Sequence, residues 1–358
     1  MTGHREGKVA ITQDSVYTYV QGLFQRGVVI IVGSGASCAY GLPSMGELAE
    51  HLRVAVPEHT PDDDVLALRE WGRIATGLAA GEGLESALGE QPLPESLADV
   101  LTMAITDRVR LSEGAAIAEI LQAEQASAFG RLFEHILRSA THADVVTTNY
   151  DRLIEVHAAR AGVRVDSMYY GHTIGRMDAA LSHEELYEAH APAGRGARGV
   201  TVRTRPHIRL AKPHGSLDWF AHEGQYFRSD LAIPGSRQII APGGNKYRLG
   251  YEVPFDQQRN RANQAIDGAA SLFTVGYGFN DEHLQTHLRS RFAQVPAVVV
   301  SRSLTTNALG YLDSNPSAIG IEATEHGAGC RIVQGGDHLE LDIPLWDLEH
   351  LVKEVLSI

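Results

Sequence analysis

Two residues carry the right chemistry at the right kind of position for acid–base and orienting work. His214, in Lys212-Pro213-His214-Gly215-Ser216-Leu217-Asp218-Trp219, follows an extended run, and an imidazole that titrates near neutrality suits a general base. Asn149, in Asp144-Val145-Val146-Thr147-Thr148-Asn149-Tyr150-Asp151, closes a second such run, and its amide offers both donor and acceptor to a sugar hydroxyl or a water. Asp151 can accept from sugar hydroxyls or from a nearby backbone amide. Simpler roles compete: Asn149 and Asp151 are good helix caps. Among 17 histidines, residue type alone does not single out His214, but its place after a strand does.

Two glycine turns could bring backbone close to a ligand. Val28-Val29-Ile30-Ile31-Val32 runs into Gly33-Ser34-Gly35-Ala36-Ser37 and then Gly41-Leu42-Pro43-Ser44, the order of a buried strand, a tight turn and a helix start. Such a turn can set N–H groups and a positive helix end against a pyrophosphate. Cys38 stands where the common dinucleotide fingerprint has its third glycine, and no clear acidic residue closes a second strand about twenty residues on. The glycines could equally serve only the strand-to-helix turn. In Phe273-Thr274-Val275-Gly276-Tyr277-Gly278-Phe279-Asn280-Asp281, Gly276 permits close approach, and Asn280 or Asp281 could hold the adenosine half of a dinucleotide or cap the next helix.

The elements that must position these residues follow from periodicity. Short apolar or β-branched runs at Val28–Val32, Asp144–Thr148, Arg209–Lys212, Arg237–Ala241, Leu272–Gly276 and Ala297–Ser301 read as buried strands of a largely parallel sheet. Helical spacing predicts helices at Met45–Val54, Ala115–Arg138, Arg152–Ala161 and Glu282–Phe292, so the class is α/β, Rossmann-like, with a mostly parallel sheet. More than a hundred residues separate the first two strands, far more than a crossover needs, which predicts a helical insertion over about 45–140 within one 1–358 domain. A second excursion, about 162–209, holds Tyr169-Tyr170-Gly171-His172 and the glycine- and arginine-rich stretch Ala191–Gly199, and reads as a loop-rich segment or small lid.

Composition narrows the partners. A net charge of -13 supplies no basic field for phosphate backbones, so nucleic acid is not the expected partner. Cys38 and Cys330 are the only cysteines, which fits a reducing cytoplasm and supports neither a disulfide framework nor a paired-cysteine zinc site. The longest strongly apolar run, Val28–Val32, is too short to span a bilayer, and the N-terminal residues lack the pattern of a secretory signal. No membrane association is expected.

Taken together and in order, Gly33-Ser34-Gly35-Ala36-Ser37, Thr148-Asn149-Tyr150-Asp151, Lys212-Pro213-His214-Gly215-Ser216 and Gly276-Tyr277-Gly278-Phe279-Asn280-Asp281 resemble the sirtuin-like superfamily. The set is similar above all to the bacterial sirtuin-like proteins of anti-phage defence, whose domain destroys cellular NAD once infection is sensed. The resemblance implies that Gly33, Gly35, Ala36 and Ser37 approach the pyrophosphate, and that Asn149 positions water or the nicotinamide ribose. It implies His214 as the base, Asp151 on the ribose or nicotinamide side, and Gly276, Asn280 and Asp281 on the adenosine side, with Ser301 and Asn307 near the last strand.

Protein-deacetylating sirtuins place a cysteine-bound structural zinc after the His-Gly motif. Here Ser216-Leu217-Asp218-Trp219 leads into a segment without cysteine, so zinc is not expected. The reaction implied is hydrolysis of NAD+ to nicotinamide and ADP-ribose. Its alternatives are NAD-dependent protein deacylation and non-catalytic sensing of NAD or ADP-ribose. By family analogy the partners would be further copies of the chain and a separately encoded HerA-like hexameric ATPase.

Overall fold

The structure, a computed structural model, describes residues 11–89, 91–190, 199–231, 233–242 and 253–358. The central sheet is built from β1 (Val28–Val32), β2 (His142–Thr147), β3 (Arg164–Asp166), β4 (His207–Ala211), β5 (Ser271–Val275), β6 (Ala297–Val300), β7 (Ile319–Ala323), β8 (Cys330–Gln334) and β9 (Asp337–Leu341). Their order across the sheet is β9-β8-β7-β6-β5-β1-β2-β4-β3. From β7 to β3 every pairing is parallel; β8 and β9 join antiparallel at the other edge. The fold is therefore α/β and Rossmann-like.

The five residues of β1 are all buried because the sheet is covered on both faces. Val28, Ile30 and Val32 enter one core with Val145, Ile208 and Phe273, while Val29 and Ile31 enter the other with Val146, Leu272 and Val299. This is the period-two alternation of strand side chains. The first face is covered by helices Gln13–Leu23, Ala128–Leu137 and Leu348–Leu356. The second takes helices Phe255–Gly268 and Glu282–Phe292, the latter through Leu284, Leu288 and Phe292 at helical spacing.

Helices Met45–His59, Val65–Ala79, Leu84–Leu88 and Glu95–Gln122 form a body with its own core, including Leu52, Trp71, Ile74 and Ile105, and this core also receives Leu153 and Leu217 from the main fold. Two sequence expectations change. The helical run expected over Ala115–Arg138 is the end of one helix and a second helix, Ala128–Leu137, because Ser127 breaks it and accepts from the Gly130 N–H as N-cap. Through Phe129, Leu132 and Phe133, that second helix packs on the sheet, not with the insertion.

The strand expected at Arg237–Ala241 is Ser236–Ile239 and lies outside the parallel sheet. It pairs antiparallel with Gly215–His222 in a second, five-stranded sheet, with Gln225–Arg228, Gly175–Met177 and Tyr169–Tyr170. The excursion after Gly162 is likewise built of short strands and the Ala179–Glu184 helix, with Tyr187–His190 and Thr201–Thr204 paired as a ribbon. Residues Ala191 to Arg198 of the glycine- and arginine-rich stretch lie outside the described residues. Among the described residues no helix is long and apolar enough to cross a membrane.

Candidate active site

β1, flanked by β2 and β5, is the point where the chain's route across the sheet changes direction, and ligands in open α/β sheets bind beyond the carboxyl ends of strands at such a point. The four motifs all emerge there: Gly33 follows β1, Thr148 and Asn149 follow β2, Lys212 to His214 follow β4, and Gly276 follows β5. They surround a cavity of about 180 Å3.

Gly33, Ser37, Asn149 and Asp151 line one side of this cavity, and His214, Asn280 and Asp281 another. Gly35, Ala36 and Gly276 are not in the lining; they stand behind it and hold two turns together. A Cβ on Gly276, whose φ is +58°, would lie 2.2 Å from the Ala36 nitrogen, and one on Gly33 would lie 2.4 Å from the Gly276 oxygen. Gly33 N–H donates to Val275, Gly35 N–H to Gly276 and Ala36 N–H to Gly33, each to a carbonyl. These glycines thus also have a packing role, because the two strand ends lie too close for side chains. Gly276→Ala is expected to destabilise the fold by about 2–5 kcal/mol, the combined scale of backbone strain and overpacking. Urea denaturation checks this, and an unchanged midpoint would refute it.

Asn149 is buried and held by its own amide hydrogens. Nδ2 donates to the Gly33 carbonyl at 3.0 Å and to Ser37 Oγ at 2.8 Å. Ser37 Oγ donates in turn to Asp151 Oδ2 at 2.7 Å, and Asp151 Oδ1 accepts from the Leu153 N–H. With both hydrogens committed, Oδ1 is what Asn149 can offer a ligand, and an acceptor suits a sugar hydroxyl or a water. Asp151 thus lines the cavity and also fixes Asn149 through Ser37.

Below this chain lies Lys212, 1% exposed. Its Nζ donates to the Asp151 carbonyl at 2.5 Å, to Ser216 Oγ at 3.0 Å and to Glu155 Oε1 at 3.2 Å. Burial raises the carboxyl pKa of both Asp151 and Glu155, against the pull of the Lys212 charge. From the insertion, Glu113, 1% exposed, accepts from the Arg152 backbone N–H at 2.6 Å and from its guanidinium at 2.7 Å, joining the Glu95–Gln122 helix to the turn that carries Asn149.

His214 Nε2 lies 3.0 Å from Asp281 Oδ2, with both side chains 8% exposed. The resemblance places Asp281 with the adenosine; the geometry also makes it the group that can orient the imidazole. Gly215, with φ +83°, allows the turn after His214, since a Cβ would fall 2.1 Å from the Gln238 carbonyl oxygen. Asn280 is exposed, and its Oδ1 accepts from Asn307 Nδ2 at 2.8 Å, whereas Ser301 is engaged through its N–H with the Ile321 carbonyl.

Several lining residues escaped the sequence reading. Tyr277, between two motif glycines, has a buried hydroxyl without a hydrogen-bond partner, and its place inside the glycine motif could have flagged it. Met45, Leu48, Glu85 and Val109 close the cavity from the insertion, and nothing local in their sequence points there.

Residues 143–307 match the family model described as a SIR2-like domain, a span that contains Asn149, Asp151, His214 and Asp281. Among solved structures, a mutant Sir2 homologue in complex with 2′-O-acetyl-ADP-ribose aligns with 97% of this chain and 99% of its own, at 14% identity and a TM-score of 0.43. A Sir2 homologue–NAD complex covers 88% of this chain and 90% of its own, at 14% identity and a TM-score of 0.39. No curated protein sequence matches.

Proposed function

We propose that this chain is an NAD+ glycohydrolase that cleaves the nicotinamide–ribose bond to give nicotinamide and ADP-ribose. The observation that carries the reading is the convergence, on one cavity at the carboxyl ends of the strands, of Asn149 with Oδ1 on offer and of His214 backed by Asp281. The SIR2-like match over that span supports an NAD-dependent activity.

Nicotinamide in NAD+ carries a positive charge and leaves as a neutral base, so no acid is needed at the leaving nitrogen. This separates the reaction from ordinary glycoside hydrolysis, where one carboxyl protonates the leaving oxygen. The C1′–N bond breaks, its electron pair goes to nicotinamide, and a water oxygen bonds to C1′. Asn149 Oδ1 holds the water or a ribose hydroxyl, and His214 takes the proton that the water gives up. Asp281, whose Oδ2 lies 3.0 Å from His214 Nε2, stabilises the imidazolium that forms.

A hydrolase that consumes NAD+ without restraint would be toxic, and we place this one among the regulated NAD-depleting effectors of anti-phage defence, in the cytoplasm. Its control would come through assembly into a homo-oligomer and with a separately encoded HerA-like ATPase. The test is to incubate purified protein with NAD+, alone and with a genomically adjacent ATPase, and to follow nicotinamide and ADP-ribose by chromatography beside His214→Ala. Release that disappears in the variant is expected. Release only with an acylated peptide would establish a deacylase instead, and tight nucleotide binding without turnover in the assembled complex would establish a sensor.

A further inference from the structure

β4 begins at His207 and ends just before the turn that carries His214, so its two ends face different sites. At the first, His207, Asp166 and His183 each bring one ligand atom to within 4.8 Å of the others. They come from three elements: the start of β4, the end of β3, and the Ala179–Glu184 helix. We propose that this cluster is a zinc(II) site that ties the 162–209 excursion to the edge of the sheet.

The strongest sign is the His207 ring. Its Nδ1 lies 2.8 Å from the Arg205 carbonyl oxygen, and a carbonyl only accepts, so Nδ1 carries the hydrogen and Nε2 the lone pair. That Nε2 is buried and has no hydrogen-bond partner, in a residue 1% exposed. A histidine whose one nitrogen is fixed by a backbone carbonyl while the other presents a bare lone pair has the outer-shell arrangement of a metal ligand.

Asp166, 2% exposed, is oriented just as firmly. Its Oδ1 accepts from the Met168 N–H at 3.1 Å and from Ser182 Oγ at 2.9 Å, and Arg261 lies 3.1 Å from Oδ1 and 3.2 Å from Oδ2. His183 Nδ1 is 3.7 Å from Asp166 Oδ2, too far for a hydrogen bond, and its side chain is 40% exposed and so has room to turn inward. Ligands at Zn–N bonds of 2.0–2.1 Å in a tetrahedron stand about 3.4 Å apart, which a rotation of His183 supplies. A water completes four ligands.

Two imidazoles and a carboxylate favour zinc over calcium or magnesium, which prefer all-oxygen shells. The donor set shares nothing with the paired-cysteine module that the sequence argues against. Arg261 already balances Asp166, so the expected site is weaker than one built on several thiolates. Its effect is to close the chain from β3 through the helix to β4, which restrains the unfolded state and raises the melting temperature.

The test uses the full chain, stripped with chelator and titrated with zinc by calorimetry and with cobalt(II) by visible absorption. One equivalent of zinc, a zinc-dependent rise in melting temperature and a tetrahedral cobalt spectrum are expected. His183→Ala, at a half-exposed position, and His207→Gln should each weaken zinc binding at least about ten-fold, with the metal-free melting temperature of His183→Ala unchanged. Should His207→Gln fail to fold, His183→Ala decides alone. No stoichiometric binding by the wild type, or wild-type affinity in a folded variant, would overturn the site. The readout is metal affinity, so it is independent of NAD+ turnover.

Discussion

Asn149→Ala is expected to lower NAD+ turnover by at least roughly 100-fold, because a misplacement of about 1 Å at a reacting centre already costs that much. The loss should fall on kcat, since the amide oxygen orients the attacking water or ribose hydroxyl and leaves the remainder of the dinucleotide untouched. The same change strands the Gly33 carbonyl and Ser37 Oγ, which both accept from Asn149 Nδ2, so a stability cost of about 1–3 kcal/mol should accompany it. Ser37→Ala separates the two effects. It removes one of the two tethers and leaves Oδ1 in place, so it should retain more activity than Asn149→Ala with little change in KM. Single-turnover release of nicotinamide by both purified variants checks this order; equal activity in wild type and Asn149→Ala would remove Asn149 from the mechanism.

Lys212→Met should be the most destabilising single change at the site, by about 3–5 kcal/mol, the scale for breaking a buried charged pair from one side. Lys212 faces Glu155 at 3.2 Å and the Asp151 carbonyl at 2.5 Å, and methionine fills the space while leaving both carboxyls without that cation. The pH dependence has a definite sign. Asp151 and Glu155 already have raised carboxyl pKa values through burial, and losing Lys212 raises them further. A carboxyl with a raised folded pKa contributes stability that is fully present below its unfolded pKa, near 4, and lost as pH rises through the folded value. The melting temperature of Lys212→Met should therefore approach that of the wild type on acidification from pH 8 to pH 5. A gap that stays constant over that window would show that the two carboxyls do not depend on Lys212.

Strands β1, β2, β4, β5 and β6 were legible because each is a short apolar run ending in glycine or polar residues, and burial on both faces makes such runs nearly continuous. Ser236–Ile239 was misplaced for the same reason. Its run reads as another buried strand, and only its antiparallel pairing with Gly215–His222, partly exposed at Arg237 and Gln238, puts it in the second sheet. The glycine motifs were legible but their mutual contact was not: that Gly33 and Gly35 meet Gly276 depends on β1 lying beside β5, some 240 residues on.

By itself the sequence determined the alternating α/β class and the polar residues at strand ends, because strand and helix periods and turn chemistry are local properties. Asn149, His214 and the glycine motifs could therefore be named. The tertiary structure alone decided the contacts among them: Asp281 against His214, Ser37 between Asn149 and Asp151, Lys212 beneath both, and the insertion's Glu85 and Val109 over the cavity. It also gathered Asp166, His183 and His207 from three elements. Each of these contacts follows from the strand order β5-β1-β2-β4-β3, which is set by burial across the whole sheet and leaves no mark on the spacing of residues within any one segment.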